Sequence, residues 1–188
     1  DVNFEAMEAR ERETRHDVMA GVLAYGEQCP SARGIIHLGA TSCFVTDNAE
    51  LLQLAEALGL VQARLRTVLA ELARFAGEHR DLACLGYTHF QPAQPVTLGK
   101  RAALWLQDLV ILFRDLERLL AEFRLLGAKG ATGTQDSFLK LLGGDAGKVR
   151  ELDRRVCRKL GFEGSLPVSG QTYTRLIDSR ILDLLKNL

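Results

Sequence analysis

Asp47-Asn-Ala-Glu-Leu-Leu-Gln-Leu-Ala-Glu-Ala-Leu-Gly-Leu-Val-Gln-Ala-Arg-Leu-Arg-Thr-Val-Leu-Ala-Glu-Leu-Ala-Arg-Phe75 is the stretch on which the fold turns. Leu51, Leu58, Leu65 and Leu72 recur every seven positions, and Leu54, Val61, Val68 and Phe75 do so in the complementary register. A sustained seven-residue apolar repeat keeps one seam of a helix facing a partner. With Leu52, Ala55, Leu69 and Ala76 beside it, the stripe is wider than a two-stranded coiled coil needs, so the helix, predicted from Asp47 to about Arg80, must contact more than one neighbour.

The same period returns further along. Leu98, Trp105, Leu112, Leu119 and Leu126 repeat every seven residues from about Val96 onward, with Ala102, Leu109, Leu116 and Phe123 four residues after each of the first four. Arg101, Asp108, Asp115 and Glu122 form the opposing polar stripe. Helices of about 30 residues run about 45 Å, longer than a compact domain of this size needs, which points to a bundle extending into an oligomer. Shorter helices are predicted at Phe4 to Glu11, Thr14 to Glu27, Asp145 to Leu160 and Thr172 to Leu188. Glycine-rich loops fall at Gly34 to Thr46, Gly127 to Thr134 and Gly161 to Gly170. No stretch alternates apolar and polar residues convincingly enough for a strand, so the predicted class is all-α.

Composition narrows the function. The 188 residues are 47% hydrophobic and 26% charged, which excludes intrinsic disorder. The 24 basic side chains balance 24 acidic ones without clustering, which argues against nucleic-acid binding. The most apolar stretch, Leu104 to Phe113, is interrupted by Gln107 and Asp108 and falls short of the roughly 20 residues that cross a membrane. The four cysteines lie far apart without a CxxC pair, which fits neither a zinc site nor a disulfide framework and suits a cytoplasmic protein. The first residues, Asp1-Val-Asn-Phe, and the amphipathic end without a stop signal read as an internal fragment of a longer chain.

Polar residues that a scaffold does not need gather in loops and at helix starts. Thr14-Arg-His-Asp17 precedes an apolar run; with Thr14 as N-cap, Arg15, His16 and Asp17 occupy a first turn where free N–H groups favour an anion, or simply a capped helix. In His37-Leu-Gly-Ala-Thr-Ser42, Thr41 and Ser42 offer hydroxyls and Gly39 lets a ligand approach the backbone; a turn leading to a cap at Thr46 or Asp47 is the plainer reading. Thr88-His-Phe-Gln-Pro-Ala-Gln-Pro95 joins the two long helices and holds His89, a residue type suited to proton transfer, where no core needs it; a rigid polar connector is the alternative. Gly127 to Gln135 could cradle an anion but lacks the ending of a nucleotide-triphosphate loop. Ser169-Gly-Gln-Thr-Tyr173 sets an amide, Gln171, at the start of the last helix, where capping is equally plausible, and His79 suits a negative helix end.

In this order the clusters resemble the adenylosuccinate lyase family of the fumarase/aspartase superfamily. The matching segments are Thr14-Arg-His-Asp-Val18, Gly39-Ala-Thr-Ser42, Gly86-Tyr-Thr-His-Phe-Gln-Pro-Ala-Gln94, Lys129-Gly-Ala-Thr-Gly-Thr-Gln135 and Ser169-Gly-Gln-Thr-Tyr173. The resemblance implies a central bundle of long helices shared among four subunits, with each active site assembled from three chains. Residues 1–38 would then end an N-terminal helical domain, and 39–188 would belong to the central bundle. The implied reaction is β-elimination of fumarate from a succinylated purine ribotide, with no cofactor or metal. By the same resemblance His89 is the general acid and Thr88 touches substrate. Arg15, His16 and Asp17 bind substrate, with His16 supporting the acid. Thr41 and Ser42 take the succinyl carboxylates, and Gln171 reaches substrate from another subunit. The family's general-base serine loop, Ser-Ser-x-Met-Pro-x-Lys-x-Asn, is not found in these residues, nor are its phosphate-holding Arg-Tyr and its C-terminal helical domain. The competing readings are another lyase of the superfamily, of the argininosuccinate lyase or fumarase type, and a non-catalytic helical oligomerisation module.

Overall fold

A computed structural model describes residues 2–188 as seven helices and one two-stranded sheet in the order α1 (Phe4–Thr14), α2 (Asp17–Gln28), α3 (Ser42–Glu78), β1 (Ala83–Thr88), β2 (Gln91–Thr97), α4 (Leu98–Glu122), α5 (Asp136–Leu141), α6 (Ala146–Lys159) and α7 (Leu176–Leu185). The two heptad segments are the two longest helices, α3 with 37 residues and α4 with 25. The chain divides into two compact units, residues 1–53 with 124–174 and residues 54–123 with 175–188.

In the first unit Asn3 caps α1 by accepting from the Ala6 N–H, and Asp145 caps α6 by accepting from the Gly147 and Lys148 N–H groups. A side-chain oxygen at that position satisfies helix N–H groups that have no backbone partner. These hydrogen bonds hold the Asp145 carboxyl below its ordinary range. Ala128, Phe138 and Val149 form a buried cluster, with Ala40, Phe44, Leu139, Leu142 and Leu152 packed against it. The six-residue helix α5 lies beyond the loop ending at Thr134 and brings Phe138 into this core.

In the second unit the repeats account for part of the sorting of side chains. Leu58 and Leu65 on α3 and Ala102, Leu116 and Leu119 on α4 are buried, while Arg101, Asp108, Asp115 and Glu122 face solvent. Gly99 lies against the end of α3: its N–H donates to the His79 carbonyl at 2.9 Å, and a Cβ there would strike the Ala76 carbonyl and the Arg80 backbone. The Arg66 guanidinium stands 5.7 Å above the Phe113 ring. His79 meets the Phe75 ring edge-on at 4.3 Å, so its helix-end position is also a packing position. Trp105, on the predicted seam, is 58% exposed, and other apolar side chains along both helices are exposed too, among them Leu60, Val68, Leu104 and Ile111.

The expectation of no strand is corrected by β1 and β2. They pair antiparallel from Ala83 opposite Thr97 to Thr88 opposite Gln91, with an irregularity between Leu85 and Tyr87. The ribbon has solvent along most of its length, so neither strand needs the apolar alternation that marks a half-buried strand. Pro92 and Pro95 are tolerated because each strand of a two-stranded ribbon is an edge.

Candidate functional site

Each sequence cluster sits where two elements meet. Arg15 closes α1 with a left-handed backbone, φ 54°, its N–H donating to the Glu11 carbonyl at 2.8 Å. His16 is the N-cap residue of α2 and Asp17 its first helical residue, so the cap expected at Thr14 is corrected by two positions. Thr14 ends α1, and its hydroxyl accepts from the His16 N–H at 3.3 Å. The correction follows from chain economy: α1 runs on to Thr14, and the tripeptide becomes the corner between two helices. His16 Nδ1 lies 3.2 Å from Asp17 Oδ1, and Arg15, His16 and Asp17 are all exposed. One feature of an anion site remains, an exposed helix start, with Arg15 two positions before its first helical residue and Asp17 offsetting part of the positive charge.

Thr41 and Ser42 lie at the start of α3, half-buried. The cap expected at Thr46 or Asp47 is corrected, because α3 begins at Ser42 and Asp47 lies in its second turn. The Thr41 carbonyl accepts from the Phe44 N–H at 3.0 Å. Gly39 takes φ 78°, and Leu141 and Phe138 crowd the place a Cβ would fill, so both features favour glycine; its carbonyl accepts from the Ser137 hydroxyl at 2.6 Å. The turn that presents Thr41 and Ser42 is thus set by the packed core.

Thr88 ends β1, and His89 with Phe90 forms a two-residue hairpin turn. Both have positive φ, 51° and 60°, the geometry of a type I′ turn, which asparagine and glycine ordinarily occupy. The two side chains project at the tip into solvent, and Phe90 is fully exposed. A histidine and a phenylalanine held in the left-handed region cost more than the usual turn residues would, and such strain marks functional positions.

Gln171 is exposed in an irregular segment between Ser169 and Tyr173. The Ser169 Oγ is buried and makes no hydrogen bond among the described residues. Tyr173, 1% exposed, donates its backbone N–H to Asp47 Oδ2 at 2.8 Å.

A buried polar framework, which sequence reading did not single out, underlies these positions in the first unit. Asn48 donates to the Phe44 and Gly127 carbonyls and accepts from the Gly127 N–H. Asp153 accepts from the Ala128 N–H at 2.7 Å and from the Ser165 hydroxyl at 2.5 Å. Lys129 is buried and donates to the Leu166 carbonyl. Burial pushes the Lys129 amine below its ordinary range, with the Asp153 carboxylate opposing, and the same burial pushes the Cys157 thiol up. The available sequence signal was Asp153 itself, a carboxylate four residues from Val149 and four from Cys157, on a face whose other members are buried. The Gly127 to Gln135 loop accordingly spends its polar groups on the protein: Gln135 donates to the Ala128 carbonyl and Gly130 N–H to the Thr134 carbonyl. Among the described residues no cluster of His, Cys, Asp and Glu could hold a metal ion, and no helix is long and apolar enough to cross a membrane.

The lyase family matches residues 5–180, nearly the whole length described. The chain belongs to this lyase family. It is 55% identical over 174 residues to adenylosuccinate lyase of Saccharomyces cerevisiae, covering 93% of this chain and 36% of that protein. It is 47% identical over 188 residues to adenylosuccinate lyase of Schistosoma mansoni, covering 39% of it. Among solved structures the lyase chain superposes on fumarate lyase from Mesorhizobium sp. BNC1 with a TM-score of 0.83 at 27% identity, over 98% of this chain and 42% of that one. It also superposes on 3-carboxy-cis,cis-muconate lactonizing enzyme from Pseudomonas putida with a TM-score of 0.77 at 27% identity. The lyase chain therefore spans well under half of the relatives it matches.

Proposed function

We propose that the protein carrying this chain is an adenylosuccinate lyase. It would cleave adenylosuccinate to AMP and fumarate, and the succinyl-carboxamide ribotide of purine biosynthesis to the free carboxamide and fumarate. The observation that carries this reading is the presentation of His89 on a strained, solvent-facing hairpin tip, in a chain about half identical to adenylosuccinate lyases. The reaction removes a proton from the carbon beside one carboxylate, passes through a carbanion stabilised by that carboxylate, and breaks the carbon–nitrogen bond. His89, as imidazolium, gives its proton to the departing nitrogen, and the electron pair of the broken bond stays with that nitrogen. Arg15, His16 and Asp17 at the α2 start bind substrate, with His16 supporting the acid; Thr41, Ser42 and Thr88 donate hydroxyl hydrogen bonds, and Gln171 an amide. The base comes from outside these residues. We place the enzyme in the cytoplasm as a homotetramer whose sites draw on several subunits, and assign it neither a nucleic-acid nor a membrane partner and no cofactor.

Release of fumarate by the complete protein tests the reading. Adenylosuccinate and the succinyl-carboxamide ribotide are both expected to yield it, and argininosuccinate is not. Turnover of argininosuccinate with neither purine ribotide consumed would move the protein to another branch of the superfamily.

A further inference from the structure

The Gly127 to Gln135 loop takes no part in the proposed elimination, yet it is tied to the irregular segment that carries Gln171, a candidate substrate contact. Residues 164–173 contain no helix, and three separate devices in the first unit hold them. At the near end Leu125 and the segment exchange backbone hydrogen bonds, Leu125 N–H to Gly164 O at 3.1 Å and Leu166 N–H to Leu125 O at 2.8 Å. The buried Lys129 ammonium then adds a charged donor to the Leu166 carbonyl. In the middle Gly133, with φ 78°, lies so close that a Cβ would collide with the Ser169 and Gly170 carbonyl oxygens. At the far end Asp47 takes the Tyr173 N–H. Gln171 stands exposed between the second and third of these devices.

Enclosing an ammonium is unfavourable unless it is well bonded, and a simple core position would hold an apolar side chain instead. Here the ammonium is directed at a backbone carbonyl in a segment that regular structure does not fix. We propose that Lys129 and Gly133 form a clamp that positions Gln171 for substrate, an inference that rests on the assignment of Gln171 as a substrate contact. They are positioning residues. Lys129 fixes the approach to the segment, Gly133 supplies the flat surface under Ser169 and Gly170, and Asp47 closes the far side, so the Gln171 amide is held before substrate arrives.

The complete protein tests this with Gly133→Ala, Lys129→Met, Gln171→Ala and the double variant Gly133→Ala/Gln171→Ala. Gly133→Ala is expected to raise KM on the order of ten-fold, as Gln171→Ala does, with kcat changed less than about three-fold. The double variant is expected to be no worse than Gln171→Ala alone, because a clamp has nothing left to position. Hydrogen exchange of the 169–173 amides should rise in Gly133→Ala while that of α4 stays unchanged. Lys129→Met is expected to raise KM in the same direction as Gly133→Ala, and Gly133→Ala with its exchange measurement carries the test if Lys129→Met fails to fold. Losses from Gly133→Ala and Gln171→Ala that simply add, or faster exchange with KM unchanged, would overturn the clamp. An unchanged KM in Gln171→Ala removes both the contact and the clamp, while fumarate release by the unaltered protein keeps the lyase reading separate.

Discussion

At the scale of single residues, side chains divide by when they act. A proton donor works on charge that develops as the carbon–nitrogen bond breaks, so His89→Gln in the complete protein is expected to lower kcat by roughly 10²–10⁴ with KM within a few fold. Arg15 meets charge that substrate carries throughout, and Arg15→Ala is expected to raise KM as well. Steady-state kinetics on both variants checks the split; near-normal kcat in His89→Gln would take the acid role from His89. The candidate positions could be picked out in the sequence because histidine, arginine and hydroxyls in a glycine- and proline-marked loop have no evident packing purpose. Where the backbone turns was less legible. Thr14 read as a cap because threonine favours that place, yet α1 runs on to Thr14 and leaves His16 as the residue before α2. Asp47 read as a cap because aspartate favours that place, whereas its carboxylate instead serves a backbone N–H from residue 173, a partner 126 positions away that local pattern cannot reveal.

At the scale of elements, α3 and α4 were readable because a seven-residue repeat integrates over many turns, so errors at single positions cancel. The hairpin was not, because its strands lack a buried face and its turn lacks the Asn-Gly pair that announces a type I′ loop. That turn gives a prediction in which two terms compete. Phe90→Gly removes a left-handed penalty of about 1–2 kcal/mol, and against this stands about 0.5–1 kcal/mol of extra backbone entropy for glycine. The ring is fully exposed in this chain, so no burial is lost. The first term wins, and β1–β2 is expected to gain on the order of 0.5 kcal/mol, read as slower amide exchange across the ribbon. Faster exchange in Phe90→Gly would show that the ring packs against something outside this chain and that the strain is offset there.

At the scale of the whole molecule, what stands out is apolar surface left uncovered. Leu60 and Val68 on α3 and Leu104, Trp105 and Ile111 on α4 are exposed, while Leu58, Leu65, Leu116 and Leu119 on the same two helices are buried. Isolated soluble chains seldom display such a run, and larger exposed patches mark interaction surfaces. The wide stripe on α3 carries the expectation of more than one neighbour for that helix, and these exposed side chains are what assembly would cover. Assembly of copies through these helices would also allow His89 of one chain and Gln171 of another to meet at one substrate, which is the central claim of the proposed mechanism. Mixing tests it most directly. His89→Gln and Gln171→Ala proteins, each with low fumarate release alone, are unfolded together, refolded as mixed assemblies confirmed by mass, and assayed. Fumarate release well above the average of the two parents is the expected result, because some sites then draw an intact His89 from one chain and an intact Gln171 from another; release equal to that average in confirmed mixed assemblies would contradict sites shared between chains.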